Sequence, residues 1–367
     1  MSEERVYQLA LTQVPHIGYV HAKILVDTFK SAEAVFRAPL RQLEALPGIG
    51  EARARSIMHF RDFAPSEKML RQVESQGIQL VFLSDETYPL RLLRCIDPPT
   101  LMFYKGLADL NADRMIAVIG TRMHTEYARL QTEKFIRDLS DHRITIISGM
   151  AYGIDGLAHR SALKYSLPTI GVLAHGLDSI YPPEHSGLAR EMIRANGGLL
   201  TEFPVGAKAD RHHFPVRNRV VAGLCDAVVV METGTRGGSM ITAELADGYG
   251  TSVFALPGRV TDRQSEGCNQ LLRRKKASII TCAQDFLDEM NWLPRKAGSV
   301  APQLTLPYEL NAAEAVIVHL LGTYETLPID QLYILSGLNS GAAASAILEL
   351  ELKNIITTLP GKRYRLV

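Results

Sequence analysis

The chain has 367 residues, 40 basic and 39 acidic side chains for a formal net charge of +1, and 46% hydrophobic content. This mix excludes a polycationic tail and a disordered chain, no stretch is apolar enough for a membrane span, and the length predicts two or three domains. Near-neutrality leaves room for a local basic groove, because phosphate affinity depends on where the charges sit. Only residues 111–295 carry a positive excess, 22 basic against 20 acidic. The four cysteines, Cys95, Cys225, Cys268 and Cys282, form no CxxC pair. The first residues lack a basic region leading into an apolar run. A reducing, cytoplasmic setting is expected, with no export signal.

In chain order, residues 1–65 read as helical, with apolar residues near the 3.6 period from Val6 to Phe29. Two turns interrupt them, Val14-Pro15-His16-Ile17-Gly18 and Leu46-Pro47-Gly48-Ile49-Gly50. The second resembles a helix-hairpin-helix, whose backbone N–H groups suit a phosphate; a ligand-free helix–helix turn explains it equally well. Residues 66–110 read as a connecting segment, with a helix near 67–76, a strand over 80–83 and the proline cluster Asp97-Pro98-Pro99. From Met115 the pattern changes to short apolar strands at 115–119, 144–147, 169–173, 199–201, 227–230, 253–256 and 278–280. Helical stretches at 126–139, 156–165, 187–195 and 239–249 separate most of them. Continuously apolar strands alternating with helices predict an α/β fold, a Rossmann-like, doubly wound parallel sheet of about seven strands over 111–293. Residues 294–307 are a proline-containing linker. Residues 308–367 read as a winged helix, with helices at 312–321, 329–335 and 340–353 and strands at 355–359 and 364–367. The would-be recognition helix of that unit offers small residues and two glutamates, so it is not expected to read bases.

In a parallel sheet the ligand crevice lies beyond the carboxyl ends of the strands. The loops there are Gly120-Thr121-Arg122, Ser148-Gly149-Met150-Ala151-Tyr152-Gly153, Ala174 to Asp178, Glu202-Phe203-Pro204, Glu232 to Ser239, and Pro257-Gly258-Arg259. Glycine lets a ligand approach bare backbone, and loops opening into helices turn N–H groups toward phosphate. Arg122, Arg236 and Arg259 stand on these loops. The run Arg211-His212-His213-Phe214-Pro215-Val216-Arg217-Asn218-Arg219 leads into the fifth strand. Arginine forks with an interleaved aromatic equip a single-strand groove. Arg217 and Arg219 could instead pair internally with Asp155, Glu202 or Glu232. No GxxxxGK[ST], GxSxG or zinc spacing occurs, so no cofactor, metal or catalytic group is expected.

Together these stretches resemble the DNA-processing protein A (DprA/Smf) family. The resemblance rests on Gly120-Thr121-Arg122, Ser148-Gly149-Met150-Ala151-Tyr152-Gly153-Ile154-Asp155, Gly176-Leu177-Asp178 with Tyr181-Pro182, and Thr201-Glu202-Phe203-Pro204. It continues through Phe214-Pro215-Val216-Arg217-Asn218-Arg219, Gly238-Ser239-Met240 and Gly267-Cys268-Asn269. The flanking helical segment, SAM or helix-hairpin-helix-like, and the winged helix match its longer members. Thr121 stands where the family usually has Ser, and Pro183 and His185 stand where Lys and Asn are common. The resemblance implies a cytoplasmic single-stranded DNA binder that protects incoming strands during natural transformation, helps load the RecA recombinase, and dimerises through the Rossmann-like domain. The site residues it implies, with those read from the loops, are Gly120, Thr121, Arg122, Ser148, Gly149, Met150, Gly153, Arg211, Phe214, Arg217, Asn218, Arg219, Gly238 and Ser239. Phosphates would sit on the N–H groups of 149–153, Arg122 and Arg211, with a base against Phe214.

Two alternatives remain at this point. Gly237-Gly238 followed by Glu244 is similar to the loop of nucleotide phosphoribohydrolases of the lysine-decarboxylase-like family. The winged helix also suits a protein-interaction scaffold.

Overall fold

Apolar β-branched segments four to six residues long can pair as strands only where both faces are covered. The structure, a computed structural model, describes residues 3–292, 310–324, 326–353, 355–359 and 363–366. It divides into two compact units, Met1–Leu293 and Pro294–Val367. The linker expected at 294–307 and the turn at Pro360-Gly361 lie outside the described residues.

The first unit is built on one nine-stranded sheet. Its strands are β1 (Gln79–Phe82), β2 (Leu101–Gly106), β3 (Met115–Gly120), β4 (Thr145–Ser148), β5 (Thr169–Val172), β6 (Gly198–Thr201), β7 (Ala227–Glu232), β8 (Ser252–Ala255) and β9 (Ser278–Ile279). Their order is β1-β2-β6-β5-β4-β3-β7-β8-β9. All pairs from β6 to β9 are parallel, while β2 pairs antiparallel with both β6 and β1. The chain works outward from β3 to β6 on one side, then returns to β7 on the other. The switch point therefore falls between β3 and β7, where such sheets open a crevice.

Side chains alternate between two cores. Ile116, Val118 and Ile146 enter one, and Ala117, Ile119 and Ile147 the other. Burying each such Ile or Val contributes roughly 1.5–3 kcal/mol. The second of these cores continues into the N-terminal helices α1 (Glu3–Leu11), α2 (Tyr19–Phe29), α3 (Ala32–Arg37), α4 (Leu40–Glu44), α5 (Gly50–His59) and α6 (Ala64–Ser75). Ser31 starts α3 by accepting from the Ala34 N–H, the usual N-cap bond. The two turns of this segment lie side by side. Arg53 donates from Nε to the His16 carbonyl and from Nη1 to the Gly48 carbonyl.

The sheet is covered by α7 (Glu126–Asp138), α8 (Ile154–Lys164), α9 (Ser186–Arg194), α10 (His213–Gly223), α11 (Gly238–Tyr249), α12 (Glu266–Arg273) and α13 (Ala283–Glu289). The sequence reading named no element at β2, α10, α12 or α13. β2 follows directly on a proline cluster that masked it, although Leu-Met-Phe-Tyr is a strand-forming run. Helix α10 takes up most of the run 211–219, which the sequence reading described only as leading into the fifth strand. Its polar residues Arg217 and Asn218 are buried, so its sequence carries no amphipathic stripe.

The second unit holds α14 (Ala312–Tyr324), α15 (Ile329–Ser336) and α16 (Ser340–Leu352). The strands β10 (Leu327–Pro328), β11 (Ile356–Leu359) and β12 (Arg363–Leu366) form a sheet ordered β10-β12-β11, a winged helix. Asn339 caps α16, accepting from the Ala342 N–H, and buried Glu314 accepts from Lys353 Nζ at 2.7 Å. The solvent face of α16 shows Ala344, Ser345, Leu348, Glu349 and Leu352, with no cation among them.

Candidate functional site

At the β3/β7 switch point the strand ends enclose an open crevice of about 340 Å³. Thr121 and Arg122 follow β3, Gly149 and Ala151 follow β4, and Phe214, Arg217 and Asn218 come from α10. Thr233, Arg236, Gly237, Gly238 and Ser239 close the far side.

The loop from β4 into α8 takes its path from two residues in the left-handed region, Met150 (φ 58°) and Gly153 (φ 79°). Gly153 lies flat against the loop after β3. A Cβ there would meet the Thr121 carbonyl oxygen at 2.2 Å and Arg122 Cα at 2.6 Å. The Ile154 N–H donates to the same Thr121 carbonyl, so the two loops are locked together. Ser148 and Met150 turn inward: Ser148 Oγ donates to the Val118 carbonyl, and the Met150 side chain is fully buried.

The sequence reading offers the N–H groups of 149–153 to phosphate. The structure gives two of them an internal acceptor. The buried Asp155 carboxylate accepts from the Ala151 N–H at 3.3 Å and from the Gly149 N–H. Burial pushes the Asp155 carboxyl upward, against the nearby Arg217 and these amides, which favour its charged form. Arg217 is buried on the other side of Gly149 and donates from Nη1 to the carbonyls of Gly149 and Val172. Burial lowers its pKa to about 10, opposed by Asp155, so it is still charged at neutral pH. A Cβ at Gly149 would stand 2.6 Å from Arg217 Nη1 and 2.7 Å from Asp155 Oδ2, so only glycine fits between them. Asn218 accepts from Arg217 Nε and donates to the Gly238 carbonyl. Arg217 and Asn218, which both line the crevice, thus also brace the β4 loop, the end of β5 and the start of α11.

Arg219 is placed elsewhere. It donates to Glu202 and to the Asp97 carbonyl, outside the crevice lining; the pairing with Glu202 is one of the internal alternatives raised above. Arg211 is exposed, also outside the lining, with Nε 3.1 Å from His212 Nε2. Glu232 accepts from the N–H and hydroxyl of Thr125, the residue that caps α7.

What faces the crevice is a different donor set. Helix α11 starts after Gly237 with no side-chain cap, and Gly237, Gly238 and Ser239 line the crevice, so its positive end opens there. Two exposed arginines, Arg122 and Arg236, stand at the rim. The Arg122 guanidinium lies 5.6 Å from the half-buried Phe214 ring. Sequence reasoning placed Arg236 on this loop without assigning it to the site, and it named Tyr181 only as part of a family motif, although its ring neighbours Phe214.

The family model described as DNA recombination-mediator protein A matches residues 79–291. The models for a DprA winged helix domain and a SAM-like helix-hairpin-helix tandem match 301–362 and 9–60. A protein Smf of Synechocystis is 30% identical over 99% of both chains. A protein Smf of Escherichia coli is 33% identical, over 82% of this chain and 80% of its own. The X-ray structure of DNA processing protein A from Streptococcus pneumoniae superposes with a TM-score of 0.66 and 31% identity, covering 79% of this chain and 98% of that one. A Helicobacter pylori DNA processing protein A structure, whose subject is its single-stranded DNA binding mode, matches with TM-score 0.52 and 32% identity over 58% and 96%.

Proposed function

Because the chain belongs to the DNA recombination-mediator protein A (DprA/Smf) family, we propose that its crevice binds single-stranded DNA without base specificity and without catalysis. The reading is supported above all by the donor set at the crevice: an uncapped helix N-terminus, two exposed arginines and an aromatic ring beside one of them. Backbone phosphate meets the α11 N–H groups, Arg122 and Arg236, and a base stacks on Phe214. Asp155 supplies the Gly149 and Ala151 amides with an anion of their own, so the 149–153 loop acts as a rigid wall more than a phosphate cradle. In this reading the bound strand is protected during natural transformation in the cytoplasm and passed to a RecA recombinase. Two copies join through the Rossmann-like domain, so that two short crevices share one strand.

A nucleotide hydrolase needs a carboxylate aimed at its substrate. Glu244, the counterpart expected for that role, is exposed on α11 and outside the crevice lining. Asp155 does line the crevice, but its carboxylate is occupied by loop amides.

The test is fluorescence anisotropy of labelled oligo-dT with the full chain at several salt concentrations. Arg122→Ala with Arg236→Ala is expected to weaken binding about 10- to 100-fold at low salt. It should also flatten the log–log salt slope by about 1.4, at roughly 0.7 per lost phosphate contact on a single strand. An unchanged affinity and slope would place the DNA elsewhere.

A further inference from the structure

Tyr181 has no evident structural reason to be where it is. The residue is 46% exposed on the loop after β5. Its backbone, by contrast, is held. The Tyr181 N–H donates to Nε2 of buried His175 at 3.1 Å, and Nδ1 of that imidazole lies 2.9 Å from the Gly176 carbonyl. With Nδ1 carrying the proton, Nε2 is the acceptor that this bond needs. Burial keeps His175 below the usual histidine range, so the arrangement is stable at neutral pH.

The exposed ring sits beside the site. Its centroid is 5.9 Å from that of Phe214 at an interplanar angle of 55°, and Phe214 in turn has Arg122 at 5.6 Å. Arg122, Phe214 and Tyr181 are thus successive neighbours, and Tyr181, on the loop after β5, stands just outside the crevice lining. A spacing of 5.9 Å at 55° is a packed aromatic pair with no room for a base between the rings, so a base would stack on the exposed side of Tyr181, and such stacking tolerates any base.

We propose that Tyr181 is a second base-stacking step, which receives the nucleotide next to the one on Phe214 and so sets the direction in which a single strand leaves the crevice. This rests on the reading of the crevice as a single-strand site. It adds an aromatic residue that neither the arginines nor the glycine loops require, and it explains how a crevice of modest size holds more than one nucleotide.

The experiment compares oligo-dT of about 4 and about 15 nucleotides, within the range of single-strand site sizes, on the full chain by anisotropy. The wild type should gain affinity from the short to the long oligonucleotide. Tyr181→Ala is expected to lose about tenfold of that gain, the worth of roughly one stacked base. Tyr181→Phe should restore most of it, because the ring and not the hydroxyl does the stacking. A long oligonucleotide with an abasic position that itself costs affinity should show no further loss with Tyr181→Ala. Circular dichroism of each variant checks that the exposed substitution leaves the fold in place. If Tyr181→Ala keeps the full gain while Arg122→Ala weakens binding, the stacking step is wrong and the crevice reading stands. If the wild type binds neither oligonucleotide, both fall.

Discussion

Replacing Arg217 with methionine is expected to destabilise the first unit by about 3–5 kcal/mol, the usual cost of leaving one member of a buried charge set without its partner. Three losses coincide. Asp155 keeps a buried carboxylate with no cation nearby, and the carbonyls of Gly149 and Val172 lose their shared donor. The methionine fills the volume, so the loss is electrostatic and not a cavity. Chemical denaturation of the variant measures it directly. Asp155→Asn in the same background should recover part of the loss, because an amide costs less to bury than an unpaired carboxylate. The coupling between the two positions is read from the double-mutant cycle. A midpoint that Arg217→Met leaves unmoved would show that the arginine does not brace the loops. A loss of DNA affinity with stability intact would instead make Arg217 a direct ligand.

The second large effect is expected at Gly153. Gly153→Ala must place a methyl group against the backbone of Thr121 and Arg122 while holding a φ of 79°. Backbone atoms cannot step aside as the tip of a side chain can. Overpacking and the left-handed strain together should cost about 2–4 kcal/mol. The variant should also bind single strands poorly under conditions where it stays folded, because the contact it forces apart positions Arg122. Gly50→Ala provides the contrast. That glycine also has positive φ (63°), but nothing lies within 4 Å of its missing Cβ. There only the backbone term remains, about 1–2 kcal/mol, and no effect on DNA binding is expected. Equal losses at the two positions, by denaturation and by anisotropy, would remove the special role given to Gly153.

These two residues mark where the sequence was legible and where it was not. The parallel sheet could be read because the central strands are short apolar runs, most of them leading into a glycine-bearing loop, as at Met115–Gly120. The crevice followed from that topology, and Gly120, Thr121, Arg122, Gly149, Phe214, Arg217, Asn218, Gly238 and Ser239 do line it. Helix α10 was hidden because its buried face carries Arg217 and Asn218, so polarity pointed outward while the fold turned those side chains inward. The same inversion affected Asp155. A glycine-rich loop opening into a helix suggests a bound anion, and nothing in the spacing says that the anion is a carboxylate of the helix itself. Arg219 and Glu202 form an ordinary long-range pair, seventeen residues apart in sequence, which only the folded chain selects from several possible partners. Tyr181 lies far in sequence from Phe214. Their neighbourhood is created by the sheet order, which sets the β5 loop next to α10.

The central claim is that single-stranded DNA occupies the crevice at the β3/β7 switch point. A crystal structure of the full chain with a short oligo-dT addresses it most directly. The expected result is a phosphate on the N–H groups at the start of α11, flanked by Arg122 and Arg236, with a thymine against Phe214. Asp155 should still hold the amides of Gly149 and Ala151. An oligonucleotide bound on another face, with the crevice unoccupied, would contradict the account.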